Sequence, residues 1–304
     1  MKAVRCAAKS SYTAAKLLAA IAVSSAALCA SAATYYWKPG TTQGQWTTIE
    51  NWSTVSATGA TASALPGSGD KFDAICDYNI DLCGETNQVY KMPEASGGFD
   101  DKHMFRIVNG TLKFSDDTRR HSGDITIDTG ATLWMVLGST LYTGVYASNQ
   151  QQIYIKSGGT LKVDGTLRLG YSAYNVQSGG SFILTPSAIR FSTSSENVIA
   201  NNGTLTMQNG LSAGTDATAG KLKLKQNPDG IMNLGGPIVR NNSAATFNVE
   251  FAGGTVNVTG DASFDVSSAQ VSGPVTFNVA EGKTLNTTSL EIVGDGVLTK
   301  TGPG

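Results

Sequence analysis

The chain has 304 residues, with 22 Lys and Arg against 23 Asp and Glu, so its net charge is −1. A near-neutral chain without a basic stripe argues against nucleic acid as a partner, because phosphate binding requires clustered Lys and Arg. Hydrophobic residues make up 40% of the chain, yet no stretch reaches the roughly 20 apolar residues of a membrane-spanning helix.

The first 32 residues have the features of a secretory signal peptide. Four basic residues precede an apolar stretch at 17–28, and Ala30, Ser31 and Ala32 provide a small-residue cleavage site. The apolar stretch is too short to anchor the chain in a membrane. We therefore expect export to the cell surface or medium, with removal of residues 1–32 and a net charge near −5 afterwards.

Two cysteines, Cys76 and Cys83, remain after removal of the leader. In an exported protein, two cysteines this close in sequence most simply form one disulfide. A metal pair is the alternative reading, but zinc usually takes four ligands and no histidine lies nearby in sequence.

Residues 33–104 form an N-terminal segment that does not repeat and that holds three of the four tryptophans. Trp37, Trp46 and Trp52 precede the first repeat, where they can cover the open end of a repetitive fold and protect its core and strand edges. The alternative is a carbohydrate-binding module in which the three indole rings stack on sugars.

Carboxylates cluster in the same segment, chiefly Asp70, Asp73 and Asp77. Calcium takes six to eight oxygen ligands, so a looped cluster of this kind is a candidate for weak calcium binding. The simpler interpretation is a solvated acidic loop. No other cofactor is expected.

Residues 105–304 carry a recurring phrase: a turn-forming glycine, a small residue, then alternating apolar and polar residues. Period-two alternation predicts strands, and its return every roughly 20 to 30 residues predicts a solenoid. We predict an all-β fold, a right-handed parallel β-helix, with the handedness taken from the preference of parallel crossovers. An antiparallel β-sandwich is the alternative. The phrases are NGTLKF (109–114), GATLWM (130–135), GGTLKVDGTLRLG (158–170), GGSFIL (179–184), NGTLTM (202–207) and GGTVNV (253–258).

These phrases and the C-terminal GDGVLTKTGPG (294–304) resemble the autotransporter-associated β-strand repeats of bacterial surface proteins. The opening YYWKPGTTQGQWTTIENWS (35–53) resembles the start of large secreted bacterial proteins that carry such repeats. The resemblance implies a passenger region, attached to the outer membrane through a C-terminal region that does not occur in this chain. Because the chain stops within a repeat, we expect a fragment of a longer protein.

Two phrases of catalytic type occur. Gly210-Leu211-Ser212-Ala213-Gly214 fits the nucleophile elbow of α/β-hydrolases, but both histidines lie upstream and no helix is expected after it. Asp128-Thr129-Gly130 matches the loop of aspartic proteases. That chemistry needs two carboxylates, and no second copy of the phrase is present. Asp128 is instead interpreted as part of a rung, with Leu133 in register with Leu161. No catalytic residue is assigned.

The predicted function is a non-enzymatic surface or passenger protein whose solenoid is a scaffold for adhesion or display, with glycans or cell surfaces as partners. A β-helix enzyme acting on acidic polysaccharide is the main alternative, with Asp116, Asp117 and Arg119 as its candidate residues. The sugar-stacking module formed by the tryptophans is the other.

Overall fold

A computed structural model describes most of the repeat region and parts of the N-terminal segment, all within one compact unit that spans 34–304. The predicted signal peptide lies outside these residues, so its removal stays a prediction. The described residues are 34–37, 49–55, 59–64, 71–72, 78–81, 89–90, 105–108, 110–114, 118–121, 124–144, 149–186, 188–214, 219–288 and 290–304.

Three long parallel sheets, named A, B and C, run through the repeat region, and the first strands of sheets A and B lie at 78–81 and 89–90 in the N-terminal segment. Sheet A and sheet B each have ten strands and sheet C has eight. Sheet A contains β4 (Tyr78–Asp81), β6 (Phe105–Val108), β9 (Ile125–Ile127), β12 (Gln151–Ile155), β15 (Ser172–Val176), β18 (Glu196–Asn201), β21 (Lys221–Gln226), β24 (Thr246–Phe251), β27 (Ser268–Val271) and β30 (Leu290–Ile292).

Sheet B contains β5 (Val89–Tyr90), β7 (Gly110–Phe114), β10 (Ala131–Met135), β13 (Thr160–Val163), β16 (Ser181–Leu184), β19 (Thr204–Met207), β22 (Ile231–Leu234), β25 (Gly254–Val258), β28 (Pro274–Val279) and β31 (Val297–Thr301). Sheet C contains β8 (Thr118–His121), β11 (Thr140–Thr143), β14 (Thr166–Leu169), β17 (Ala188–Phe191), β20 (Leu211–Ala213), β23 (Ile238–Arg240), β26 (Ala262–Asp265) and β29 (Leu285–Asn286).

The chain runs from sheet A to sheet B to sheet C and then returns to sheet A one layer further along, and we call each such passage a coil. Each strand pairs in parallel with the strand of the same sheet in the next coil. The predicted parallel β-helix is therefore confirmed, and the antiparallel sandwich is excluded. The right-handed sense stays a prediction. Among the described residues there is no α-helix, only one short 3₁₀ turn. No helix there is long and apolar enough to cross a membrane.

A small mixed sheet lies in the N-terminal segment. Strand β1 (Thr34–Trp37) pairs antiparallel with β2 (Trp52–Ser53) and parallel with β3 (Lys71–Phe72), and a 3₁₀ turn at Ile49–Asn51 leads into β2. Strand β1 also contacts β4, an end strand of sheet A. The small sheet thus lies beside the first coil, where the sequence predicts a cap.

Alternation along each strand separates an inner face from an outer one. In β18 and β21, every second side chain is buried and the intervening ones are more exposed. Parallel pairing then stacks like positions on one another, so a single inner row of sheet B runs through successive coils. Its buried members are Leu133, Leu161, Phe182, Leu205, Met232, Val256 and Phe277.

The Gly-Gly of the recurring phrase has two separate physical reasons. Gly158 turns the corner before β13 with φ of 74°, a conformation that side-chain-bearing residues adopt at a cost. At Gly159, a Cβ atom would lie 2.5 Å from the carbonyl oxygen of Ile127, so the second glycine allows close packing onto the preceding coil. One glycine permits the turn, and the other permits the stacking.

An aromatic triangle fills the core near the C-terminal end, with one ring from each sheet. Phe251 of sheet A lies 5.5 Å from Phe264 of sheet C and 5.2 Å from Phe277 of sheet B, measured between ring centroids. Each pair packs edge to face, with interplanar angles of 77° and 68°. Such pairs add stability beyond the area that they bury, so this triangle ties the three sheets together.

Polar residues occupy the interior at the corner between sheets C and A. The Asn197 Oδ1 atom accepts hydrogen bonds from the Ser172 backbone N–H at 2.9 Å and from its hydroxyl at 3.1 Å. The Thr143 and Tyr174 hydroxyls lie 2.8 Å apart, and burial raises the pKa of Tyr174 far above its ordinary value. Because these buried groups are paired, they avoid the cost of unsatisfied polar atoms.

The aromatic triangle gives a stability prediction. We expect Phe277→Ala to lower the free energy of unfolding by about 3–5 kcal/mol, since it removes two edge-to-face contacts and leaves a cavity. Thr276→Ala, on the outer face of the same strand, should change it by less than about 0.5 kcal/mol. Urea unfolding followed by circular dichroism measures both, and equal shifts for the two variants would contradict this description of the core.

Candidate functional site

The outer faces of the sheets present rows of side chains with different chemistry. One outer row of sheet B is almost entirely hydroxylated: Thr111, Thr132, Thr160, Ser181, Thr204, Ile231, Thr255, Thr276 and Thr299. Beside it, Asn233, Asn257 and Asn278 form an amide ladder, with Nδ2 to Oδ1 distances of 2.9 and 3.3 Å. The rows follow directly from the recurring phrase.

A charged cluster interrupts these rows on sheet B at Asp164. The Trp134 indole N–H donates to Asp164 Oδ2 at 2.6 Å, and Lys162 Nζ lies 3.0 Å from the same oxygen. The Thr185 hydroxyl donates to Oδ1 at 2.5 Å. The Lys162 ammonium also lies 4.1 Å from the centre of the Trp134 ring. Every polar partner of the carboxylate is a donor, so the cluster stabilises its ionised form.

The pKa of Asp164 reflects this balance. Partial burial raises the pKa, but the hydrogen bonds from Thr185, Lys162 and Trp134 outweigh burial and hold it below the ordinary value. A carboxylate held in its charged form suits a structural ion pair better than proton transfer at neutral pH.

Asp128 lies at the corner between sheets A and B and is nearly buried. Lys156 Nζ is 3.0 Å from its Oδ1, and Arg106 Nε donates to its Oδ2. These cations come from the coils before and after β9. Leu133 pairs with Leu161 as the sequence predicts, so Asp128 belongs to a rung and joins three coils electrostatically.

Glu250 on sheet A has a similar arrangement. Lys223 Nζ lies 2.8 Å from Oε2 and Lys225 Nζ lies 3.7 Å from Oε1. Burial raises the pKa of Glu250, but the hydrogen bond and charge of Lys223 lower it more. Like Asp128 and Asp164, this carboxylate is paired with cations of its own chain.

Two arginines and a tyrosine form a row on the outer face of sheet C. We call Tyr142, Arg168 and Arg190 the arginine row. Tyr142 pairs in register with Arg168, which in turn pairs with Arg190. The Arg168 guanidinium carbon lies 5.0 Å from the centre of the Tyr142 ring. In register on the other side of Tyr142 is Arg120 of β8. Three of these four successive strands thus have an arginine at the same register position, and the fourth has Tyr142.

The two arginines of this row have no acidic partner among the described residues, in contrast to Lys223 and Lys225 of sheet A. Buried Arg168 Nε has no hydrogen-bond acceptor there, and Arg190 is exposed. The outward position two residues earlier in each of these strands is uncharged. These positions hold Thr140, Thr166 and Ala188. Like charges directly opposite on neighbouring strands destabilise a sheet, so the pairing of Arg168 with Arg190 has an electrostatic cost that no acidic side chain among the described residues offsets.

The tryptophans predicted for sugar binding are only partly described. Trp52 is fully buried and pairs in register with Trp37 across the small sheet, so the Trp52 ring is not presented to solvent. The side chain of Trp37 and all of Trp46 lie outside the described set. Sugar stacking therefore stays a prediction.

The other predicted sites also lie outside the described residues. They are the calcium candidates Asp70, Asp73 and Asp77, the disulfide Cys76 and Cys83, and the acidic pair Asp116 and Asp117. The described residues contain no group of three or more potential metal ligands. Both the calcium site and the disulfide stay predictions.

The Asp164 cluster and the arginine row were not found by reading the sequence alone. Both bring together residues from different coils, and the unequal loop lengths between strands hide that alignment. An alignment of TLYT (140–143), TLRL (166–169) and AIRF (188–191) as equivalent strands would have placed Tyr142, Arg168 and Arg190 in one column.

Comparison with known proteins gives no match: neither protein-family models nor curated proteins nor solved structures show significant similarity to this chain.

The Asp164 cluster predicts a pH dependence of stability. Because the folded-state pKa lies below the unfolded value, the contribution of Asp164 is present above about pH 4 and is lost as the pH falls through the folded pKa. We expect Asp164→Asn to lower stability by about 1–3 kcal/mol at pH 7, with the difference from the unsubstituted protein shrinking below pH 4.

Urea midpoints at neutral and acidic pH measure this difference. Asp265→Asn, at an exposed position on sheet C, serves as the control and should show little change at either pH. A difference between Asp164→Asn and the unsubstituted protein that persists undiminished at the lowest pH would contradict the assignment.

Proposed function

We propose that this chain is an exported, non-enzymatic bacterial surface protein of the passenger type, in which the β-solenoid is a rigid scaffold for adhesion or display. The observation that carries the proposal is the continuous in-register stacking of strands within each of the three sheets. Ten stacked strands at about 4.7–4.9 Å per strand give a rod roughly 40–50 Å long. A rod of this kind holds its outer faces at fixed spacing away from an attachment point.

The state of the charged groups supports a scaffold rather than a catalyst. The carboxylates of Asp128, Asp164 and Glu250 each contact Lys or Arg side chains of the chain itself. A carboxyl group that acts as an acid or base at neutral pH needs a pKa raised toward 7, whereas the pKa values of Asp164 and Glu250 are lowered. These three carboxylates instead stabilise the stacking of coils, which is a structural role.

The sequence supports the remaining parts of the proposal. The leader at 1–32 is the basis for export, and the resemblance to autotransporter-associated repeats is the basis for the passenger role. Stacked repeats of this kind create extended surfaces that solenoid proteins use for binding.

Export can be tested with the full chain carrying a C-terminal epitope tag, expressed in a Gram-negative host. We expect the exported form to begin at Ala33 and the tag to be cleaved when protease is added after the outer membrane has been permeabilised. A variant that lacks residues 2–32 is the control and should stay protected inside the cell. An uncleaved leader on a protein confined to the cytoplasm would refute export.

The non-enzymatic part needs a separate test. Purified protein incubated with polygalacturonate, as a representative acidic polysaccharide, should release no new reducing ends over a prolonged incubation. Sustained release that disappears after Asp116→Asn and Asp117→Asn would instead establish the enzyme alternative.

A further inference from the structure

We propose that the arginine row on sheet C binds an acidic polysaccharide that runs along the axis of the solenoid. This inference deepens the proposed adhesive function and rests on it for its biological setting, but the binding itself is a property of the purified protein. Its basis is the pair Arg168 and Arg190, which lie in register on adjacent strands and form no ion pair with a carboxylate of the described residues.

The geometry of the pair selects an oxyanion ligand. Guanidinium groups present planar forks of N–H donors that match carboxylate and sulfate oxygens. Tyr142 supports Arg168 from one side at 5.0 Å, which orients the guanidinium before any ligand arrives. A bound oxyanion would compensate the repulsion between the two arginines.

The spacing of the row selects a polymer. Adjacent strands of a sheet lie about 4.7–4.9 Å apart, so Arg168 and Arg190 on successive coils form a line of positive charge parallel to the solenoid axis. Arg120 occupies the next basic register position beyond Tyr142. A linear chain with repeating acidic groups can contact several positions of such a line at once, whereas a small anion contacts one.

The surroundings favour a polysaccharide over other polyanions. Flanking Thr140 and Thr166 offer hydroxyl groups for hydrogen bonds with sugar hydroxyls. Nucleic acid would require a much larger basic surface than this row on a chain with a net charge of −1. A membrane surface would require apolar side chains for insertion, and the exposed large apolar residues in the described ranges, Val55, Leu137, Ile231, Ile292 and Val297, lie on no strand of sheet C.

The proposal is tested by measuring the affinity of the full-length purified protein for polygalacturonate, which carries carboxylates, and for heparin, which also carries sulfates, at low salt. Neutral dextran is the uncharged comparison. We expect binding to at least one acidic polymer and none to dextran. Arg168→Gln with Arg190→Gln should weaken binding about tenfold or more, because hydrogen bonds to charged groups are lost.

A charge-matched control separates the row from net charge. Lys221→Gln with Lys300→Gln removes two positive charges from sheets A and B and should change the affinity by less than about twofold. Equal losses in the two double variants, or no binding of either acidic polymer by the unsubstituted protein, would overturn the proposal. Neither result would affect the export test, so the two proposals can fail independently.

Single variants cover the case in which loss of Arg168 disturbs its packing on Tyr142. Arg190→Gln, at an exposed position, should weaken binding with an unchanged circular dichroism spectrum. Arg190→Lys should lie between Arg190→Gln and the unsubstituted protein, because it keeps the charge and loses the fork. An Arg190→Gln variant that binds as tightly as the unsubstituted protein would contradict the assignment.

Discussion

In-register stacking of parallel strands is the constraint on which the rest of this structure depends. One coil buries only a few apolar side chains, each contributing about 1.5–3 kcal/mol, against a backbone entropy cost of about 1–2 kcal/mol per ordered residue. A coil alone is therefore unstable, and neighbours must cover both of its edges. Register decides whether Phe182 lies on Leu161 or turns to the solvent.

The same constraint organises the surface. Residues separated by more than 20 positions in the sequence become neighbours one strand apart, and their chemistry then combines. On sheet B this brings Trp134, Lys162 and Asp164 into one self-compensated cluster. On sheet C it pairs Arg168 in register with Arg190, and neither has an acidic partner among the described residues. A charge that is paired within the chain has a structural role. A charge without such a partner among the described residues belongs to the surface most suited to binding.

Much of the fold was predictable because strand, face and corner are local properties. Period-two alternation predicted the strands, and glycine predicted the corners because Gly158 needs a positive φ. The assignment of Asp128 to a rung followed from the same phrase and is confirmed by the pairing of Leu133 with Leu161. The arginine row was not predictable in this way, because loops of unequal length hide which strands are equivalent.

The sequence by itself determined the class of fold, the apolar inner face of each strand and the corners, since these depend on residues a few positions apart. Only the tertiary structure decided which coils are neighbours, which charges are paired and which are not. Those relations depend on the register between strands, and register is set by contacts across the whole stack. Asp164 follows a strand of sheet B, Arg168 lies on the outer face of a strand of sheet C, and both side chains are charged. Their neighbours alone distinguish them, because Asp164 forms an ion pair with Lys162, whereas Arg168 Nε has no hydrogen-bond acceptor among the described residues.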